Sequence, residues 1–237
     1  MLEVSHVTKS YKRKLAVDDI SFTLPEGEIL GLLGANGVGK STTLSMIATL
    51  IKPDSGDITW DGKSILRSPI RIRRTLGYVP QDVALYENLS GLDNLRFWGR
   101  AYDLNGQGLK AAIKRISNMI ELTEEQLKQR VCTYSGGMKR RLNIGAAMLH
   151  QPKLVVMDEP TVGLDVVSRK GILEAIKNIH QEGASIIYTG HYLDEVQELC
   201  NHIIIMEQGK IIVDGLTDEI LHKHDSLEQY YLNAIEA

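Results

Sequence analysis

The chain has 237 residues, 43% hydrophobic and 24% charged, with a formal net charge of −3. That length and balance fit one large globular domain, or a core with a subdomain, and argue against a disordered chain. With no basic excess to neutralise phosphodiesters, a dedicated nucleic-acid binder is disfavoured.

The opening "MLEVSHVTKSYKRK" puts charges where a signal peptide needs its apolar segment. No apolar run approaches the roughly 20 residues that span a bilayer. The expectation is a chain that does not cross a membrane and takes any membrane role through a partner. Cys132 and Cys200 lack metal-ligand spacing and read as structural thiols in a reducing compartment.

In chain order, the first signal is a turn at Pro25-Glu26-Gly27 in "SFTLPEGEILGLL". With the Asp61-Gly62 hairpin dipeptide of "ITWDGKSI", it predicts an antiparallel lobe. Three runs, "EILGLLG", "KLVVMDE" and "ASIIYTG", are apolar almost throughout, the habit of parallel strands buried on both faces. The first leads into a helix whose Leu44, Ile47, Ala48 and Ile51 keep the spacing of a buried stripe, with Pro53 as its stop. Between about residues 86 and 150 the texture turns helical. Ser90 with Asp93 reads as a capping pair, and "TEEQ" at 123–126 as a capping box. A helix through Ile172, Leu173, Ile176 and Ile179 closes near Gly183. The end of the chain, "HIIIMEQGKIIVDG" and "DSLEQYYLNAIEA", reads as a hairpin and a short helix. The prediction is an α/β core with a helical insertion.

"GANGVGKST" fits G-x-x-x-x-G-K-[ST] at Gly34, Gly39, Lys40 and Ser41, with the required strand before it and helix after it. The glycines let the backbone aim N–H groups at phosphate oxygens, and the helix start adds roughly half a positive charge. Lys40 would bridge the β- and γ-phosphates, and Ser41 would ligate magnesium. "LVVMDE" ends a buried strand with Asp158 and Glu159, where open α/β sheets place their ligands. Asp158 can hold the hydration shell of magnesium, and Glu159 can polarise a water for attack on the γ-phosphate. Alone, two acids at that point would cap the next helix; beside a phosphate loop the chemical reading prevails. "TYSGGMKRR", residues 133–141, offers further N–H donors ahead of a helix but lacks a strand in front, leaving open whose phosphate it would meet.

The order of these pieces resembles the ATP-binding cassette (ABC) family. "GANGVGKST" is similar to its Walker A loop, Gln81 in "GYVPQD" to the Q-loop, and "YSGGM" to the signature. "LVVMDE" is similar to Walker B, "GLD" at 163–165 to the D-loop, and His191 in "YTGHYLDE" to the H-loop. The resemblance implies a P-loop NTPase (RecA-like) core with a parallel sheet, an N-terminal antiparallel β lobe and a helical subdomain. It implies one ATP-binding domain over residues 1–237, about 1–85 and 151–237 forming the core and about 86–150 the helical subdomain ending in the signature. Mg-dependent ATP hydrolysis follows, with ATP and Mg2+ as cofactors and a second ATP-binding subunit, identical or different, as partner. The ATP contacts implied are Tyr11, stacking on adenine, with Gly34, Asn36, Gly37, Val38, Gly39, Lys40, Ser41, Thr42 and Gln81. Ser41, Gln81 and Asp158 are implied at the metal, Glu159 as the base, and His191 as the group that holds the γ-phosphate and orients Glu159. Ser135, Gly136, Gly137 and Met138 would meet the γ-phosphate held by the opposed chain, and Asp165 would work across the dimer interface. Taken singly, Tyr11 as an edge-strand aromatic, Gln81 as a turn residue, His191 as a surface residue and Ser135 as an N-cap remain open readings.

Met138 stands where many members have Gln, Tyr134 where most have Leu, and Gly190 where Ser or Thr is commoner; the Ser-Gly-Gly donors are intact. The family also implies an integral membrane permease, which would dock on the helical subdomain, and a peripheral place on the cytoplasmic face of the membrane. Tyr86, Phe97, Trp98 and Tyr102 cluster there; Leu95, Trp98 and Tyr102 share a core-facing side, so Tyr86 or Phe97 is expected to be exposed. "ENLSGLDNLRFWGRAYDL", "PTVGLD" and "SLEQYYL" look like bacterial drug or antibiotic exporters with separate permease chains. An importer subunit and a soluble cassette of a cytosolic assembly system are the alternatives. Thr42 and Ser135 lie only 93 residues apart (135 − 42), too few for the coiled coil of DNA-clamping cassettes.

Overall fold

The computed structural model describes residues 1–12, 14–223 and 226–236. Strand β1 (Leu2–Tyr11) pairs antiparallel with β2 (Lys14–Leu24) and buries Leu2, Val4 and Val7. The chain then enters a second sheet through β3 (Ile29–Leu33) and turns into α1 (Lys40–Ile47). It returns to the first sheet with β4 (Ser55–Trp60) and β5 (Lys63–Ser64), giving the order β2-β1-β4-β5. Asp61 and Gly62, at φ 49° and 70°, make the tight β4–β5 turn, where a two-residue hairpin needs positive φ.

After α2 (Pro69–Arg73) and β6 (Leu76–Val79) come α3 (Gly91–Ala101), α4 (Gly106–Met119), α5 (Glu124–Lys128) and α6 (Gly136–Ala147). Ser90 caps α3 by accepting from Asp93 N–H, and Thr123 with Gln126 forms the capping box of α5, both as predicted. The remainder alternates: β7 (Leu154–Met157), α7 (Val166–Gln181), β8 (Ser185–Thr189), α8 (Leu193–Leu199), β9 (His202–Glu207), β10 (Lys210–Leu216), α9 (Thr217–Lys223) and α10 (Leu227–Glu236). The second sheet has the order β10-β9-β3-β8-β7-β6, parallel throughout except for β10.

Alternation along these strands explains their apolar runs. In β3, Ile29 and Leu33 face a core shared with the helices, while Leu30 and Leu32 face the core shared with the β lobe. Val155 and Met157 against Leu154 and Val156 in β7, and Ile203 and Ile205 against Ile204 and Met206 in β9, repeat the pattern. Each face has its own apolar cover, so both sets must be hydrophobic. Burying each such side chain stabilises the fold by about 1.5–3 kcal/mol.

Several expectations need correction. The helix after the phosphate loop stops at Ile47, not at Pro53; Thr49 is left-handed at φ 59°, and Ile51 packs on the β-lobe core from outside the helix. Because Lys40, Thr43, Leu44, Met46 and Ile47 are all buried, α1 has no single stripe whose spacing would mark its end. Pro25-Glu26-Gly27 does turn, but it passes the chain between sheets instead of joining paired strands; Gly27 N–H donates to Ser185 Oγ at 2.8 Å. The β9–β10 hairpin forms, yet β9 also pairs in parallel with β3. Cys132 is exposed, at the short turn before α6, so a structural role fits only Cys200, whose burial pushes its thiol up. Tyr86 and Phe97 are exposed and meet edge to face at 4.8 Å, while Leu95 is fully buried, as expected.

Candidate functional site

The loops leaving the C-terminal ends of β3, β6, β7 and β8 converge on one cavity of ≈ 540 Å³. Open parallel sheets place ligands there because connections diverge at those ends. Tyr11, Asn36, Gly37, Gly39, Lys40, Ser41, Thr42, Gln81, Glu159 and His191, dispersed in sequence, all line it. Gly34 and Val38 do not; Val38 packs instead against the β-lobe core. A cavity of the same volume between α3, α4 and α5 has an apolar floor and cationic rim, with no phosphate loop or carboxylate pair.

Gly39 is the N-cap of α1 at φ 115°, and a Cβ there would lie 2.4 Å from Ala16 O, so a side chain is excluded twice over. With no side-chain cap and no acid in the first turn, the α1 N-terminus keeps its N–H donors and partial positive charge for an anion. Lys40 is buried, and its Nζ donates to Gly34 O at 2.7 Å and Ala35 O at 3.0 Å. Desolvation by burial pulls the Lys40 ammonium below its ordinary range, partly offset by Glu159 and Asp158.

The two acids follow β7 directly. Asp158 is 4% exposed and Glu159 5%. Glu159 is left-handed at φ 48°, a conformation that costs about 1–3 kcal/mol and clusters at functional sites. Thr189, at the end of β8, holds both: its Oγ1 accepts from Glu159 N–H and donates to Asp158 Oδ1, each at 2.9 Å. Thr189 escaped sequence reasoning; its one signal is a hydroxyl ending an otherwise apolar run. Gln81 Nε2 donates to Glu159 Oε2 at 2.9 Å, and His191 Nε2 lies 3.0 Å from Glu159 Oε1.

Ser41 Oγ and Asp158 Oδ1 approach to 3.4 Å at the mouth of the loop. They are a hydroxyl and a carboxylate, hard-oxygen donors of the kind that suits magnesium shared with substrate phosphates. Among the described residues no cluster of three His, Cys, Asp or Glu could hold a metal unaided. The donor set therefore fits a magnesium ion that arrives with the nucleotide.

The signature turn lies outside this cavity. Ser135 caps α6, its Oγ accepting from Met138 N–H at 3.2 Å. Gly136 is exposed, whereas Gly137 is buried, with Ser168 Oγ 2.5 Å from where a Cβ would sit. Asp165 caps α7, accepting from Val167 N–H, Ser168 N–H and Ser168 Oγ. Arg140 on α6, also missed from sequence, donates to Pro80 O and Gln81 O at 3.1 and 2.7 Å, tying the signature helix to the Q-loop backbone.

Residues 17–162 match the family model described as ABC transporter. The linearmycin resistance ATP-binding protein LnrL of Bacillus subtilis is 46% identical over 93% of this chain and 70% of that protein. The doxorubicin resistance ATP-binding protein DrrA of Mycobacterium tuberculosis is 38% identical over 93% of this chain and 67% of that protein. Among solved structures, an ATP-binding subunit of an ABC transporter superposes with a TM-score of 0.88 at 30% identity, covering 99% of both chains. The dimeric post-hydrolysis state of the cassette MJ0796 with ADP and Pi gives 0.83 at 25% identity, over 92% of this chain and 99% of that one.

Proposed function

The chain belongs to the ABC transporter family and is an ATPase, and on that premise we propose that it dimerises around ATP to power a separate membrane permease that exports an amphiphile. One observation carries the chemistry: both carboxylate oxygens of Glu159 are held, by Gln81 and His191, inside the cavity that also contains Lys40. Glu159 takes a proton from water as the water oxygen attacks the γ-phosphorus; the bond to the bridging oxygen breaks, and ADP leaves with the electron pair. Lys40 leaves its carbonyl partners for the β- and γ-phosphates, and His191 steadies both Glu159 and the γ-phosphate. Magnesium, when bound, neutralises charge on the phosphates, and Ser41, Asp158 and Gln81 would hold it. Tyr11, 47% exposed on the cavity rim, offers its ring to adenine.

The second protomer supplies what this cavity lacks. Ser135, Gly136, Gly137 and Met138 lie at a helix N-terminus and line no part of their own nucleotide cavity. They would meet the γ-phosphate of the opposed chain, with Asp165 at the same interface. Closure then depends on an intact γ-phosphate, and hydrolysis releases it.

Among the described residues no helix is long and apolar enough to cross a membrane, which supports an integral partner. Residues 86–150 would form the subdomain that receives it, and exposed Tyr86 and Phe97 would be anchors. The resistance proteins among its relatives support export. Purification from membranes, with partners identified, tests this reading. An integral permease alone is expected; a permease with a substrate-binding protein, or soluble partners only, would overturn export.

A further inference from the structure

Glu195, on α8, is 1% exposed and four residues beyond His191. Its Oε2 accepts from Tyr188 Oη and from Thr161 Oγ1, the latter at 2.7 Å. Its Oε1 accepts from Arg169 Nε at 2.8 Å. Thr161 follows Glu159 by two residues, Tyr188 lies on β8, and Arg169 occupies the second turn of α7, the helix capped by Asp165. A carboxylate this buried needs a cationic partner, and Arg169 supplies it with a side chain only 19% exposed. The same guanidinium lies 3.7 Å from the centre of the Tyr192 ring, next to His191.

These contacts run in an unbroken line from the Ser-Gly-Gly turn to Glu159. Gly137 of the signature turn packs on Ser168, Ser168 donates to Asp165, and Arg169 N–H donates to Asp165 O. Arg169 then grips Tyr192 and Glu195, one and four residues beyond His191 on the segment that leads into α8. His191 in turn touches Glu159.

We infer that Arg169 and Glu195 form a positioning pair that fixes His191 against Glu159 by clamping Tyr192, tying the catalytic histidine to the helix behind the dimer-facing Asp165. Neither residue lines the nucleotide cavity, so neither touches substrate. The inference rests on the roles proposed above for Glu159 and His191. A misplaced His191 should slow the chemical step while changing nucleotide affinity little, because Lys40 and the phosphate-loop N–H donors, on a different strand connection, stay in place.

The test is a double-mutant cycle on the ATPase in its assembled form, read as kcat, KM for MgATP and Tm. Arg169→Lys keeps the charge but loses the flat face and the Nε contact; Tyr192→Ala removes the surface it stacks on. Each is expected to lower kcat about 10-fold, within the range for small geometric misplacement, with KM unchanged within about twofold. The double variant should be no slower than the slower single one, since both remove one clamp. Tyr192→Phe keeps the ring and should restore the parent kcat. Independent, multiplicative losses in the double variant, an unchanged kcat in Tyr192→Ala, or a rise in KM alone would overturn the clamp of Arg169 on Tyr192 and with it the inference. Glu159→Gln, run alongside, isolates the underlying reading: parental turnover there refutes the base, whatever the cycle shows.

Discussion

His191 Nε2 sits 3.0 Å from Glu159 Oε1, while Gln81 Nε2 donates to the other oxygen of the same carboxylate at 2.9 Å. The two partners arrive from different strand ends, so the position of Glu159 reports on both loops at once. Substituting Glu159 with Gln keeps size and one acceptor but removes the basic oxygen. Phosphate release should fall by about 10²–10⁴-fold while ATP stays bound. Light scattering with ATP should then show a nucleotide-bridged dimer; turnover at the parent rate would refute the base.

Lys40 is kept from water and held on two backbone carbonyls, and under the proposed reading it turns from them to phosphate. Replacing it with Ala removes charge-assisted bonds worth about 1.5–3 kcal/mol, or about 10–100-fold in affinity. Titration with a fluorescent ATP analogue should show that loss, and unchanged binding would count against the phosphate cradle.

Ser135 serves its own helix as a cap, and under the proposed arrangement it serves the other chain's nucleotide. Ser135→Arg should abolish hydrolysis while each monomer still binds ATP. Loss of the cap should also lower stability by about 1 kcal/mol. Activity in a protomer kept monomeric would contradict a shared site.

His150 gives a pH dependence unrelated to catalysis. It stacks on Tyr102 with ring centroids 3.7 Å apart, its Nε2 lies 3.1 Å from Leu76 O, and its Nδ1 is buried without a partner. Burial, with Arg115 adding repulsion, lowers its pKa to about 4 despite the bond to Leu76. The unfolded chain binds this proton near pH 6.5 and the folded one only near pH 4. The folded state therefore keeps its full stability above about pH 6.5 and loses it as pH falls from there towards 4. Thermal melts between pH 7.5 and 5 should show a steeper fall for the parent than for His150→Gln; parallel curves would refute the assignment.

Much was legible in the residues themselves. The phosphate loop, the paired acids, the Ser-Gly-Gly turn and the capping signals at Ser90 and Thr123 are local chemistry, each fixed by a few neighbouring side chains. The apolar runs of β3, β7 and β8 were legible because strands covered on both faces must be hydrophobic throughout. The end of α1 was not, since a helix buried on many sides has no stripe to count, and β1 and β6 gave too weak a pattern to be read.

What only the tertiary structure decided is which distant groups meet. Thr189 bridging Asp158 and Glu159, Arg140 gripping the Gln81 backbone, and Glu195 gathering Thr161, Arg169 and Tyr188 join residues 26 to 59 positions apart, apart from the near pairing of Tyr188. Such contacts leave no period in the sequence, because sheet order and helix docking, not local spacing, bring their partners together.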